Sequence, residues 1–189
     1  MAMGIAWQRL GGREWEVARG SHAAAVSEFV SAATALPENA WHAPRAEGKW
    51  SPAQITEHLS LAFAAALSEL DGGRGVRMRG SRLRRLLLRR LLLPRLLTGA
   101  TFPAGVRSPS EARPGDVTAS RREGLDRMTL LARRFEEQAS RSSGRDAMRV
   151  THPYFGALPA LQGLRFSAAH IRHHKAQLLS RAGGQQAPG

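Results

Sequence analysis

The sequence predicts an all-α protein: a four-helix bundle with an Arg/Leu-rich helical insertion between its second and third helices. Three observations predict it. Apolar residues recur at three- and four-residue intervals in four separate stretches. Neither a strand-period run nor a βαβ alternation breaks that pattern. The 189 residues, 42% of them hydrophobic, are enough for one domain with a substantial core.

Residues 1–20 contain Gly and Trp without sustained periodicity and are expected to form a loose lead-in. The first helix is expected from Ser21, a plausible N-cap, with Ala23, Val26, Phe29, Val30, Ala33 and Leu36 as its apolar stripe and Pro37 as its stop. PENAWHAPRAEGKW reads as an ordered loop whose Trp41 and Trp50 plug an end of the bundle. The second helix has the clearest start signal, because Ser51 can cap free amides while Pro52 sits where a missing N–H costs nothing. Its stripe is Ile55, Leu59, Ala62, Phe63, Ala66 and Leu70; His58 lies at the inward edge, and Asp71-Gly72-Gly73 ends the helix.

Residues 72–117 form the insertion. SRLRRLLLRRLLLPRLL is expected to be helical up to Pro94, with leucines and arginines spread around the whole wheel and no clean polar face. The third helix is expected after a cap at Asp116 or Thr118, with Leu125, Met128, Ala132, Phe135 and Ala139 on one seam. RSSGRDAMRVTHPYFGALP reads as a loop. The last helix is expected from about Ala157 or Pro159 to Arg181, ending at Gly183-Gly184, with 183–189 a flexible tail. The bundle domain therefore spans 21–182.

Charge and composition exclude several function classes. The net charge of +13 is local: ten arginines and no acidic residue lie between Gly72 and Ser110, which leaves 18 basic and 15 acidic residues elsewhere. Of the 28 basic residues, 26 are Arg, so the high pI carries little functional information. The absence of cysteine removes disulfides, thiolate metal sites and a cysteine nucleophile. No apolar h-region and no membrane-spanning stretch is present, which sets the expectation of a soluble cytoplasmic protein. G-x-S-x-G, H-E-x-x-H and G-x-x-x-x-G-K are all missing.

The histidines carry the chemistry. Three of the seven, His170, His173 and His174, fall in HIRHHKAQLL on the last helix. Residues four apart share a helical face, so His170 and His174 can converge on one ion, and His58 is the one histidine elsewhere on the inward edge of a well-defined helix. Three neutral imidazoles hold a divalent ion and leave a coordination position open for water or substrate. Spacing alone leaves a second reading equally open, in which solvated histidines near a helix C-terminus favour the dipole and bind nothing. His22, His42 and His152 are expected in caps or loops with surface or turn roles; His152 has the best chance of lying near a pocket. Gln54 and Gln177, one turn from the candidate ligands, can orient them, although surface roles are commoner for such glutamines. For Tyr154 and Trp50, core packing is expected ahead of pocket lining.

Two blocks tie these residues together. GKWSPAQITEHL holds His58, and HPYFGALPALQGLRFSAAHIRHHKAQL holds His170 and His174 as H-x-x-x-H. In this order and separation the chain resembles the DinB-like family, also described as DinB/YfiT-like metalloenzymes, over most of residues 21–182. The resemblance implies an up-and-down bundle with one long crossover and a divalent metal, most often zinc or nickel, on His58, His170 and His174. It also implies chemistry of the kind found in thiol-using relatives: a small thiol or water is activated against a small-molecule electrophile, as in a thiol S-transferase. A homodimer is expected for such a bundle. The extra His173 and the Arg/Leu-rich insertion depart from a minimal member and raise the question of whether residues 80–110 roof the pocket. The alternative reading is a binding module that uses the Arg-rich insertion on nucleic acid or an anionic membrane surface. Against nucleic acid, residues 72–101 contain no Phe, Tyr or Trp for stacking, and against a membrane the Leu/Arg segment, interfacial in composition, has a scattered wheel that argues against a stable membrane face.

Overall fold

The computed structural model describes residues 2–103, 106–141 and 149–180. Four long helices make the bundle: α1 (Ala2–Thr34), α2 (Pro52–Leu70), α5 (Arg121–Arg141) and α6 (Ala160–Leu179). Two shorter helices, α3 (Arg82–Leu91) and α4 (Leu93–Leu97), lie in the long crossover between α2 and α5. A two-stranded antiparallel hairpin, β1 (Arg149–His152) and β2 (Gly156–Pro159), leads into α6. Within the bundle α1 packs along α6 and α2 along α5.

The caps explain the boundaries. Ser51 and Gln54 form a reciprocal capping box at the start of α2: the Gln54 amide donates to Ser51 Oγ at 3.2 Å and the Ser51 amide to Gln54 Oε1 at 3.1 Å. Pro52 occupies the first turn as expected. Gly72, at φ +84°, carries the chain away from α2 in the left-handed region that a side chain disfavours. Ser120 and Glu123 make a second capping box at α5, so the cap there is Ser120 and not Asp116 or Thr118. Ser120 wins because Glu123 stands three residues on and returns a carboxylate to its amide.

The main core contains Phe29 of α1, Leu59 and Phe63 of α2, Met128 and Phe135 of α5, and Leu164, Ile171 and Leu178 of α6. All five seam residues expected on α5 are buried. Trp41 is buried against α5 where Gly124 leaves room: a Cβ there would stand 3.1 Å from the indole. The indole N–H donates to the Ala119 carbonyl at 3.0 Å. A second, smaller core joins Leu93 and Leu96 of α4 to Phe155 and Leu158 of the hairpin, with Phe102 and Phe166 packed against it.

Several expectations are corrected. Residues read as a loose lead-in are helical from Ala2, so α1 does not begin at Ser21. Ala18 is buried, Trp15 packs on the core and Glu14 lies 3.7 Å from Arg165 of α6, so the docking of α1 on α6 supplies an order that local periodicity does not reveal. His22, expected in a cap, sits inside α1 and is buried between Phe63 and Phe135. Its Nε2–H donates to the Ala132 carbonyl at 3.3 Å, and its Nδ1 accepts from the Ser167 hydroxyl at 2.8 Å. Part of the expected loop before α6 is the hairpin, and α6 starts at Ala160. Helix resumes beyond Leu91, with Pro94 in the first turn of α4 where its missing N–H is harmless. The expected end of the last helix at Gly183-Gly184, and the tail after it, lie outside the described residues.

Candidate metal centre

Three imidazoles meet at one end of the bundle. His58 enters from the first half of α2, and His170 and His174 enter from α6 one turn apart. His170 Nε2 lies 3.0 Å from His174 Nε2 and 3.3 Å from His58 Nε2, and one ligand atom from each of the three falls within 4.8 Å of the others. Nitrogens about 2.0–2.1 Å from a common ion at a tetrahedral angle stand about 3.3 Å apart, so this spacing matches a shared cation.

The outer nitrogens decide the protonation pattern. His58 Nδ1 lies 2.5 Å from the Ala112 carbonyl oxygen; a carbonyl only accepts, so Nδ1 carries the hydrogen and Nε2 presents a bare lone pair. His174 Nδ1 donates likewise to Gln177 Oε1 at 2.8 Å. Two of the three facing nitrogens are therefore acceptors, and His170 Nε2, 3.0 and 3.3 Å from them, offers a third lone pair in the tautomer that carries its hydrogen on Nδ1. A cation satisfies all three lone pairs at once, so the donor set fits a metal. Charge on the rings is disfavoured as well. Burial holds His170 and His174 well below the ordinary histidine value, their mutual repulsion and that of His58 add to it, and burial lowers His58 too. Neutral imidazole is the form that binds a metal.

The neighbours of the triad assign the remaining candidates. Gln177 bridges two histidines: its oxygen accepts from His174 and its amide donates to His173 Nε2 at 3.0 Å. It therefore orients His174, the role considered for it on spacing. His173 is thereby tied to Gln177 and stacks on Phe102 at 4.7 Å, beside the triad rather than in it. Gln54 does not reach the ligands; its side chain closes the Ser51 capping box and donates to the Gly115 carbonyl. Trp50 lies 5.0 Å from the His58 ring, and Phe166 stacks on His170 at 5.7 Å. His42 is exposed, as expected.

The triad opens into a cavity of about 1120 Å³. Its walls include Trp50, Phe63, Phe102, Tyr154 and Phe166, together with Arg84, Leu88, Leu92 and Leu96 of the insertion, so the described residues between 80 and 110 do form a wall over the site. Tyr154 pins that wall by donating its hydroxyl to the Arg107 carbonyl at 2.8 Å. Both Trp50 and Tyr154 line the cavity, a role that had been placed second to core packing.

His152 has a larger role than a turn histidine. The amides of Tyr154 and Phe155 lie 3.2 and 3.3 Å from its Nδ1; amides can only donate, so Nδ1 is bare and the ring hydrogen sits on Nε2. Nε2 has no protein partner among the described residues, and the residue lines the cavity, so its N–H is available there. Burial takes its pKa down to about 3, which keeps this donor neutral. The sequence signalled only proximity. The Ala112 carbonyl, 54 residues from His58, had no signal at all, whereas Phe166, four residues before His170 on the same helix, was readable from spacing.

A family model described as the DinB superfamily matches residues 22–178. No curated protein sequence matches the chain significantly. Among solved structures it is similar to the crystal structure of TT2238, a four-helix bundle protein, at 22% identity and a TM-score of 0.52, with 87% of this chain and 98% of that chain covered. At that identity the likeness speaks for the fold alone.

Proposed function

The chain belongs to the DinB superfamily, and from that premise we propose that it is a metal-dependent enzyme holding one divalent cation, zinc or nickel, on His58, His170 and His174. The observation that carries this reading is the set of three facing Nε2 atoms, two of them fixed as bare acceptors by the Ala112 carbonyl and Gln177. Bound there, the ion supplies Lewis acidity, favouring the deprotonated form of a small thiol or of water. The chain does the rest. Phe63, Phe102 and Phe166 offer an apolar bed, and His152 directs a neutral Nε2–H that orients a carbonyl or carboxylate oxygen of the substrate. With no cysteine in the chain, the attacking sulfur of a thiol S-transferase must come from a low-molecular-weight cosubstrate.

Elemental analysis of the purified protein tests the site. About one divalent ion per chain is expected, lost in His58→Ala and in His174→Ala; a stoichiometry near zero after reconstitution overturns the reading. A panel of biological thiols offered with a generic electrophile then separates thiol transfer from hydrolysis.

A further inference from the structure

Helix α3 turns two different faces outward and inward, contrary to the expected scatter of its leucines. Leu83, Leu87 and Leu91 form one row at four-residue spacing with Leu86 beside it, and they are 66%, 50%, 65% and 49% exposed respectively. On the other side Leu88 packs against the second core, as does Leu92 just past the helix end, while Arg89 donates to the Ala157 carbonyl at 3.1 Å and Arg85 to the Gly80 carbonyl at 2.5 Å. The arginines flanking the leucine row are exposed, and among the described residues Arg82, Arg84, Arg90 and Arg95 make no ion pair.

We propose that the outer face of α3 seats on an anionic lipid bilayer, with Leu83, Leu86, Leu87 and Leu91 in the acyl boundary and the flanking arginines at the headgroups. Charge complementarity selects this occupant. No acidic residue lies between Gly72 and Ser110, so a second copy docked symmetrically on the same face would set arginines against arginines. A nucleic acid would use the arginines but leave the leucines in water, and residues 72–101 have no aromatic ring to stack on a base. An anionic interface uses both groups: leucines gain by burial, and long arginine stems reach back to phosphate. Among the described residues no helix is long and apolar enough to cross a membrane, so the contact is a peripheral one. Since Arg84, Leu88 and Leu92 also line the cavity, the seated segment is a shared wall between bilayer and cavity.

Flotation of the full chain with vesicles tests this without reference to the metal. Binding is expected to vesicles of phosphatidylcholine with about one third phosphatidylglycerol, weaker by at least about tenfold to phosphatidylcholine alone and weakened by added salt. Leu83→Gln/Leu87→Gln/Leu91→Gln keeps good helix formers on exposed positions and should lose at least about tenfold in affinity. Leu87→Trp, which keeps apolar area, should retain binding. Equal binding by the triple Gln variant, or no binding by wild type, overturns the proposal. So does a concentration-dependent dimer that the triple Gln variant dissolves, or a preference for a DNA duplex that survives it.

Discussion

Replacing His152 with Gln is expected to flatten the acid limb of the protein's stability curve. In the fold this imidazole is held down to about 3 by burial, against an ordinary value of 6.5. The folded value is the lower one, so the unfolded chain takes up its proton at a higher pH than the folded chain does. Stability is therefore complete above 6.5 and is lost as pH falls towards the folded value. Each pH unit in that window costs about 1.4 kcal/mol, so at about pH 4.5 this one ring has removed about 2.5 kcal/mol relative to neutral pH. The other buried histidines shift in the same direction in wild type and variant, and to first order they cancel in the comparison. Urea denaturation of the metal-free protein at neutral pH and at about pH 4.5 measures the difference. The variant should be less stable at neutral pH, having lost the bonds to the Tyr154 and Phe155 amides, but its further loss on acidification should be smaller by about 2.5 kcal/mol. Equal acid losses in the two proteins would refute the argument that His152 is locked neutral. Nitrogen-15 NMR of the imidazole should show the hydrogen on Nε2.

Two further changes test the support of the site and of α2. Gln177→Leu removes the acceptor of His174 Nδ1 and the donor to His173 while leaving the three facing nitrogens in place, so metal affinity should fall by about 10- to 100-fold with the fold intact, as read by competition with a chelator. Ser51→Ala breaks the capping box at α2 and should cost about 1 kcal/mol in chemical denaturation. A change below the resolution of that measurement would show that Gln54 or the Pro52 turn carries the start of α2 alone.

Those tests divide along the line between local and long-range information. Helix identity was legible, because the stripe of α2, the seam of α5 and the Ser51-Pro52 start are short-range patterns that the fold keeps. The candidate ligand set was legible as a hypothesis: a four-residue spacing fixes one face, so His170 and His174 had to be neighbours, and His58 was the one histidine elsewhere on the inward edge of a well-defined helix. Weak local signals failed where tertiary docking decides. Residues 14–18 of α1 gain burial and an ion pair to α6 that local periodicity does not reveal, and the hairpin depends on pairing between 149–152 and 156–159 within a stretch that lacks strand alternation.

By itself the chain's order of residues determined that helices form at the four bundle positions, that His170 and His174 share one face, and that residues 72–110 carry no acidic group. Only the tertiary structure decided which nitrogen of His58 is bare, since the Ala112 carbonyl that sets it comes from a different part of the chain. It alone decided which leucines of α3 face water as well, because the hairpin and α4 claim one side of that helix. The physical reason is common to both cases. Periodicity is a property of neighbouring residues, whereas a tautomer or an exposed face is set by whatever the fold brings against it.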